Sequence, residues 1–297
     1  MSVQFGWIGP FAAASEWDLR FGRFPQFRIY GDSEVKRTCA WDNWAKLGWD
    51  INKSQLFKQE IGDCVSFGAA ICIAAVAAHE IVRNGEFEQF KVPFAPYLYG
   101  IGRLMPEGGN GRLGSSDGSL GSWMAETVVK YGVLRDDYQG VPEYSGSVAK
   151  QWGTKKSALE PFLPEGEQHL IKTAARIRSI EDLAQAITNG YYCTIASNRG
   201  YNMQLRDDRG KSWFTGRDTW PHQMSLIAVD TEPELCFYRR NQWGTAHGRQ
   251  LDGPDGGGWI TAESLEPEIK ASGTECFAYS TFIGFPSEQE KPRNYFA

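Results

Sequence analysis

The order of periodicities along the 297-residue chain predicts an α+β protein. Before about residue 190 the long apolar stretches read as helices. Beyond Gly190 they give way to short β-branched and aromatic runs between Gly, Pro and Asp breakers. Helices first and strands second imply a helical lobe packed against an antiparallel sheet or barrel. Composition agrees: 41% hydrophobic and 23% charged residues are the balance of a globular chain able to bury a large core, which excludes disorder and collagen-like fibre. At roughly 150 residues per domain, the length admits two lobes or one large domain.

Residues 1 to about 50 are dense in aromatics: Phe5, Trp7, Phe11, Trp17, Phe21, Phe24, Phe27, Tyr30, Trp41, Trp44 and Trp49, with Arg20, Arg23 and Arg28 among them. They read as an extended arm that packs in part on its own domain, the remainder docking another chain or crossing a cleft. From Cys64 to about Arg83, CVSFGAAICIAAVAAHEIVR is Ala-rich and apolar on nearly every face, which predicts a long buried helix beginning at Cys64. Met105 to Ser122 is Gly/Ser-rich loop. A helix follows from Ser122 to Tyr131, stopped by Gly132, and another starts at the N-cap Ser179, carries Glu181 and Asp182 in its first turn, and ends before Gly190. The predicted strands are Tyr191 to Ala196, Met224 to Asp230, Leu235 to Arg240, Trp259 to Thr261 and Cys276 to Phe285.

Lys and Arg number 31 against 36 Asp and Glu, a net charge of −5 that gives no general pull toward nucleic acid or anionic lipid. Three arginines among the arm's aromatics do not change that. The longest apolar run, Ala69 to Ala78, falls short of the ~20 residues that span a bilayer, so no membrane segment is expected. The N-terminus lacks a basic region and is interrupted by Gln4 and Pro10, which makes cytoplasmic residence the expectation. The six cysteines, at 39, 64, 72, 193, 236 and 276, show neither a disulfide framework nor zinc-ligand spacing. Asp252 and Asp255 read as a tight loop and not a calcium site. No metal or cofactor is expected.

Three separated stretches carry the chemistry: Gln59-Glu-Ile-Gly-Asp-Cys64, Pro221-His222-Gln-Met-Ser-Leu, and Arg240-Asn241-Gln-Trp243-Gly244. With Cys, His and Asn in that chain order, the sequence resembles the papain-like cysteine peptidases. The resemblance extends to Asp117-Gly118-Ser119 with the helix after it, to Lys130-Tyr131-Gly132-Val133, and to Gly258-Trp259-Ile260, and covers about residues 50 to 290. It implies a two-lobed fold, with a helical lobe over about 51–175, a β-barrel-like lobe over about 176–290, and the cleft between them. His222 and Asn241 lie 158 and 177 residues beyond Cys64, so insertions are expected between Gly190 and His222. The sequence departs from the family at Val65, where an aromatic is usual, and at Ser119, where a second Gly is usual.

By the resemblance, Cys64 is the nucleophile, His222 its base and Asn241 the residue that orients the imidazole. A thiol is mostly protonated at neutral pH, so it needs a helix N-terminus and an imidazolium to lower its pKa, making the thiolate–imidazolium pair the expected resting state. Trp243 would shield the His–Asn bond. Gln59, one residue nearer the Cys than in the family, would join the Cys64 N–H in binding the oxyanion. Gly118 and Ser119 would offer backbone groups to an extended peptide. The implied activity is hydrolysis of a peptide or protein through an acyl-enzyme. Secreted members carry a disulfide where this chain has Ile61 and Ser116, which fits a reducing compartment. The reading that stays open is an inactive papain-like interaction protein in a larger assembly, such as a virion, with Cys64 an inert core thiol. His79 and His169 are expected on helix surfaces or in solvent, and His247 as a structural residue of a Gly-rich turn.

Overall fold

A computed structural model describes residues 5–17, 24–28 and 34–286. Arg20, Phe21, Arg23 and Tyr30, and the Trp17 side chain, lie outside the described residues. The architecture is organised around one helix, Cys64–His79, in which every residue from Cys64 to Ala78 is buried. Its small side chains are the reason: Ala and Gly let neighbours close in on all sides, so no polar face is left for water. With the π-helical turn Glu80–Asn84, the 21 residues from Cys64 are apolar and long enough to cross a membrane, by length and composition. This corrects the run-length expectation. Most of that surface, 83% of the most apolar window, is covered by protein.

Around it lie the helices Ala40–Lys46, Ala95–Leu104, Gly121–Tyr131 and Gly146–Trp152. Gly132 ends the third of these as the sequence predicts, at φ +65°, where a side chain would also strike the Gly166 carbonyl. Ser179 caps the helix Ile180–Thr188, its hydroxyl accepting the Asp182 N–H at 3.0 Å.

The other layer is a nine-stranded sheet whose main path runs Ile171–Arg176, Glu275–Phe282, Cys193–Gly200, Asp218–Asp230, Cys236–Arg240, Gly257–Thr261, Lys211–Trp213 and Arg206–Asp208, with Thr38–Cys39 paired to the long fourth strand. Pairing is antiparallel except where Trp213 meets Trp259. The path is open among the described residues, so the β lobe is barrel-like only in order and does not close. Between Gly190 and His222 the chain forms a hairpin from the two short strands Arg206–Asp208 and Lys211–Trp213. The central helix seats on the sheet through polar contacts: Ser225 Oγ donates to the Gly68 carbonyl at 3.0 Å, and Gln223 Nε2 to the Val65 carbonyl at 2.8 Å. Behind it, Arg239 and Glu268 form a buried ion pair at 2.7 Å that ties the helix Ala262–Ile269 to the sheet.

The aromatic N-terminal region is not uniformly extended. Pro10–Trp17 is helical, and the helix Ala40–Lys46 packs on the centre, with Trp44 Nε1 donating to the Ala74 carbonyl at 3.3 Å. Phe24 and Phe27 are buried along the edge strand Ile171–Arg176, where the Phe27 N–H meets the Arg176 carbonyl at 2.9 Å. His169 is also buried, between the Gly284 carbonyl and Glu165, because the strand end folds over it. This corrects its expected exposure.

Candidate active site

Cys64 is the first residue of the central helix, so its thiol stands where the first N–H groups have no intrahelical partner. Asp63 turns the chain into the helix: its carbonyl accepts the Ser66 N–H and hydroxyl at 3.1 and 2.8 Å. Its carboxyl is fully buried and accepts a hydrogen bond from Tyr144. Burial pushes that carboxyl well above the usual carboxylate range, which favours the neutral form and keeps a like charge away from a thiolate.

The strand Asp218–Asp230 brings His222 to the same place. The N–H of its neighbour Gln223 donates to Cys64 Sγ at 3.4 Å. His222 Nε2 lies 2.9 Å from Asn241 Oδ1, while Nδ1 is buried without a hydrogen-bond partner. Asn241 follows the strand Cys236–Arg240, and its Oδ1 also accepts the Gln242 N–H at 2.7 Å. Trp243 stacks on the imidazole at 4.6 Å between ring centroids. Cys64, His222, Asn241 and Trp243 are therefore brought together from two layers of the fold.

Gln59 is buried on the loop before Cys64, tied to the Asn-x-Trp-Gly segment by its N–H to the Gln242 carbonyl at 2.8 Å. Its amide Nε2 donates to the Ile61 carbonyl at 2.8 Å, so the amide is turned onto its own loop. Gly118 gives its N–H to the Tyr99 hydroxyl and its carbonyl to Arg103, so of the two residues expected to offer backbone groups only Ser119 is not held by the helical lobe in this way.

That backbone is already engaged, by the protein's own N-terminus. Ser119 N–H donates to the Gly6 carbonyl at 2.7 Å, and the Ile8 N–H to the Ser119 carbonyl at 3.2 Å, a parallel pairing centred on Trp7. The Phe5 ring stands edge-on to His222 and Trp243, at 6.3 and 5.7 Å. Trp7 is buried, and its Nε1 donates to Glu275 Oε2 at 2.8 Å. The same carboxylate accepts the Gly121 and Ser122 N–H groups at the start of the helix Gly121–Tyr131, both at 2.9 Å. Only glycine fits at position 6, since a Cβ there would lie 2.1 Å from the Gly62 carbonyl oxygen.

Covered in this way, Cys64 and His222 are both fully buried. Burial pushes the thiol up to about 12, against the pull of the Gln223 N–H, and pushes the imidazole down to about 3, against its bond to Asn241. Both shifts favour the neutral pair, in contrast to the ion pair expected from the sequence, because the arm excludes the water that would solvate the charges. Gly6 and Glu275 carry no signal in the sequence, whereas Trp7 belongs to the aromatic arm and His247 to the Gly-rich turn expected there. The last donates or accepts at neither end of a regular element, and its ring nitrogen lies 2.9 Å from Asn241 Nδ2. No sequence signal marks a contact of that kind.

No protein-family model matches the sequence, and no curated protein matches it. Solved structures do. Xylellain, a cysteine protease from Xylella fastidiosa, is similar with a TM-score of 0.59 at 14% identity, over 95% of this chain and 98% of that one. ProCathepsin B S9 from Trypanosoma congolense gives a TM-score of 0.56 at 12% identity, over 94% and 87%. Procathepsin L 3 of the Tenebrio molitor larval midgut gives 0.53 at 11%, over 90% and 79%. The chain has the two-lobed papain-like fold.

Proposed function

We propose that this protein is a cysteine peptidase that hydrolyses peptide bonds through Cys64, His222 and Asn241, and that residues 5–8 hold it latent. One observation carries the reading. A thiol at the N-terminus of a buried helix shares a site with an imidazole whose far nitrogen is held by an amide, and a peptide segment already lies across them.

With the segment displaced, water and substrate reach the site and the desolvation that keeps both groups neutral is relieved. The Cys64 proton passes to His222 Nδ1, and the thiolate attacks the substrate carbonyl carbon. Negative charge collects on the carbonyl oxygen, where the Cys64 N–H and the Gln59 amide are its donors. The C–N bond breaks, and the imidazolium gives its proton to the leaving amine. A water, deprotonated by His222, then attacks the thioester. The acid product leaves and the thiol is restored. Ser119 aligns the substrate backbone with the two groups the arm now uses, and Trp243 keeps water from the His222–Asn241 bond.

The test compares the full-length chain, Gly6→Ala and Gly6→Ala with Cys64→Ser on a mixture of fluorogenic peptides, with and without a thiol-directed epoxide. Turnover that is weak in the wild type, strong in Gly6→Ala, abolished by Cys64→Ser and blocked by the epoxide is the expected result. A silent Gly6→Ala whose Cys64 also resists the epoxide would leave the inactive interaction protein as the better reading.

A further inference from the structure

Beyond the three proposed catalytic residues, we infer that His247 is a positioning residue, which selects the direction of the Asn241 amide and through it the tautomer of His222. The inference rests on the peptidase reading for its consequence in catalysis, but its geometry stands apart from it.

The Met203 carbonyl lies 3.1 Å from His247 Nδ1. A carbonyl oxygen only accepts, so Nδ1 carries the hydrogen, and a neutral imidazole then leaves Nε2 bare. Bare Nε2 is an acceptor, and it lies 2.9 Å from Asn241 Nδ2. The amide nitrogen therefore faces His247 and the amide oxygen faces the other way, toward His222 Nε2 at 2.9 Å. Facing an oxygen, His222 Nε2 holds the hydrogen, and Nδ1 is left bare to accept the Cys64 proton. The Gln242 N–H, 2.7 Å from Asn241 Oδ1, enforces the same direction. One backbone carbonyl thus sets the hydrogen of each ring in turn: Met203, His247, Asn241, His222.

The relay is buried at its centre. Asn241 and His222 are fully buried and His247 nearly so. The His247 ring is packed by Phe214 at 5.0 Å, Trp220 at 5.8 Å and Trp243 at 6.2 Å. Inside such a site an amide with its nitrogen unpaired is costly, so the acceptor at His247 does more than fill space. Without it, only the Gln242 N–H opposes reversal, and a reversed amide would put N–H groups against His222 Nε2 and drive the hydrogen to Nδ1, the wrong side for taking a proton from Cys64. A wrong tautomer in a nucleophile–His–orienter site costs up to about 10⁴ in kcat.

The experiment uses full-length protein at neutral pH and reads the histidine ring nitrogens by long-range ¹H–¹⁵N NMR, with His247→Gln and His247→Leu as variants. The Gln side-chain oxygen replaces the lost acceptor, whereas Leu fills the space without one. Expected are a His247 protonated at Nδ1 and a His222 protonated at Nε2 in wild type, the same His222 tautomer in His247→Gln, and a shift of His222 toward the Nδ1 form in His247→Leu. In the Gly6→Ala background, His247→Leu should lower kcat about a hundredfold with KM little changed, and His247→Gln should recover most of it. A wild-type His247 protonated at Nε2 overturns the inference even if neither variant folds, and so does a His222 tautomer indifferent to His247→Leu. If the tautomers follow expectation while Gly6→Ala hydrolyses nothing, the relay stands and the peptidase reading fails.

Discussion

At the scale of single residues, the site is decided by what covers it. A thiol raised to about 12 is ionised to about one part in 10⁴ at pH 8, and the fraction climbs only as pH approaches that value. The covered Cys64 should therefore alkylate slowly with iodoacetamide across pH 6 to 8. Displacing the arm with Gly6→Ala, whose Cβ cannot fit 2.1 Å from the Gly62 oxygen, restores solvent and the His222 partner, and labelling at pH 6 should rise by at least about a hundredfold. The other five cysteines are buried and unpaired, and serve as silent controls in one peptide map by mass spectrometry. Equal labelling of Cys64 in the two proteins would count against the arm as the cause of its protonation. Much of this site is legible in the sequence, since Cys64, His222, Asn241 and Trp243 are chemically distinctive types whose chain order carries a resemblance. Gln59 is legible as a residue but not as a rotamer, because the Ile61 carbonyl that holds its amide is a backbone group. His247 is not legible at all, because its role depends on which way a loop carbonyl at Met203 points.

At the scale of elements, sequence signals succeed where one physical cause dominates. The central helix has no polar face, Ser179 caps its helix, and Gly132 takes a conformation side chains avoid. Signals fail where causes compete. Ala95–Leu104 contains Pro96, a breaker that costs nothing in a first turn where the missing N–H has no intrahelical partner. Ile171–Arg176 is an edge strand whose exposed Lys172 and Thr173 blur its alternation. The hairpin from Arg206 to Trp213 is largely polar. One element carries a pH prediction. Glu80, in the turn that follows the central helix, accepts the Phe282 N–H, and burial together with Glu86 and Glu88 pushes its carboxyl up to about 7 from an ordinary 4.5. Between those values the folded protein keeps a proton that the unfolded chain has lost, so this group makes stability fall as pH rises from about 4.5 to 7 and level off above. Glu80→Gln keeps an acceptor for Phe282 and removes the charge. Thermal melts should match the wild type near pH 4 and show the variant more stable at pH 8, by about 1–2 kcal/mol after allowance for partial solvent screening. A difference that does not change with pH would mean the gain comes from packing.

At the scale of the whole molecule, Glu275 is where three parts of the chain meet. It belongs to a strand of the sheet, caps the helix Gly121–Tyr131 of the helical lobe, and receives the Trp7 indole of the arm. Closure of the arm and lobe packing therefore share one carboxylate, and two substitutions separate them. Trp7→Phe removes a single N–H while keeping an aromatic ring in the buried site. The bond it loses is to a charged group and is worth about 1.5–3 kcal/mol, most of it acting on the closed state of the arm. Cys64 labelling should then rise about ten- to a hundredfold, with melting of the body little changed. Glu275→Ala takes the acceptor from all three donors at once, orphaning two helix N-terminal N–H groups inside the protein as well as the indole. It should raise labelling at least as much, and in addition lower the stability of the body by about 2–4 kcal/mol. Both variants are full-length, so chemical denaturation and Cys64 labelling on the same samples give the comparison. If Glu275→Ala raises labelling only in step with its loss of stability and Trp7→Phe leaves labelling unchanged, the indole does not hold the arm. Closure would then rest on the two backbone hydrogen bonds to Ser119 and the contact of Gly6 with Gly62.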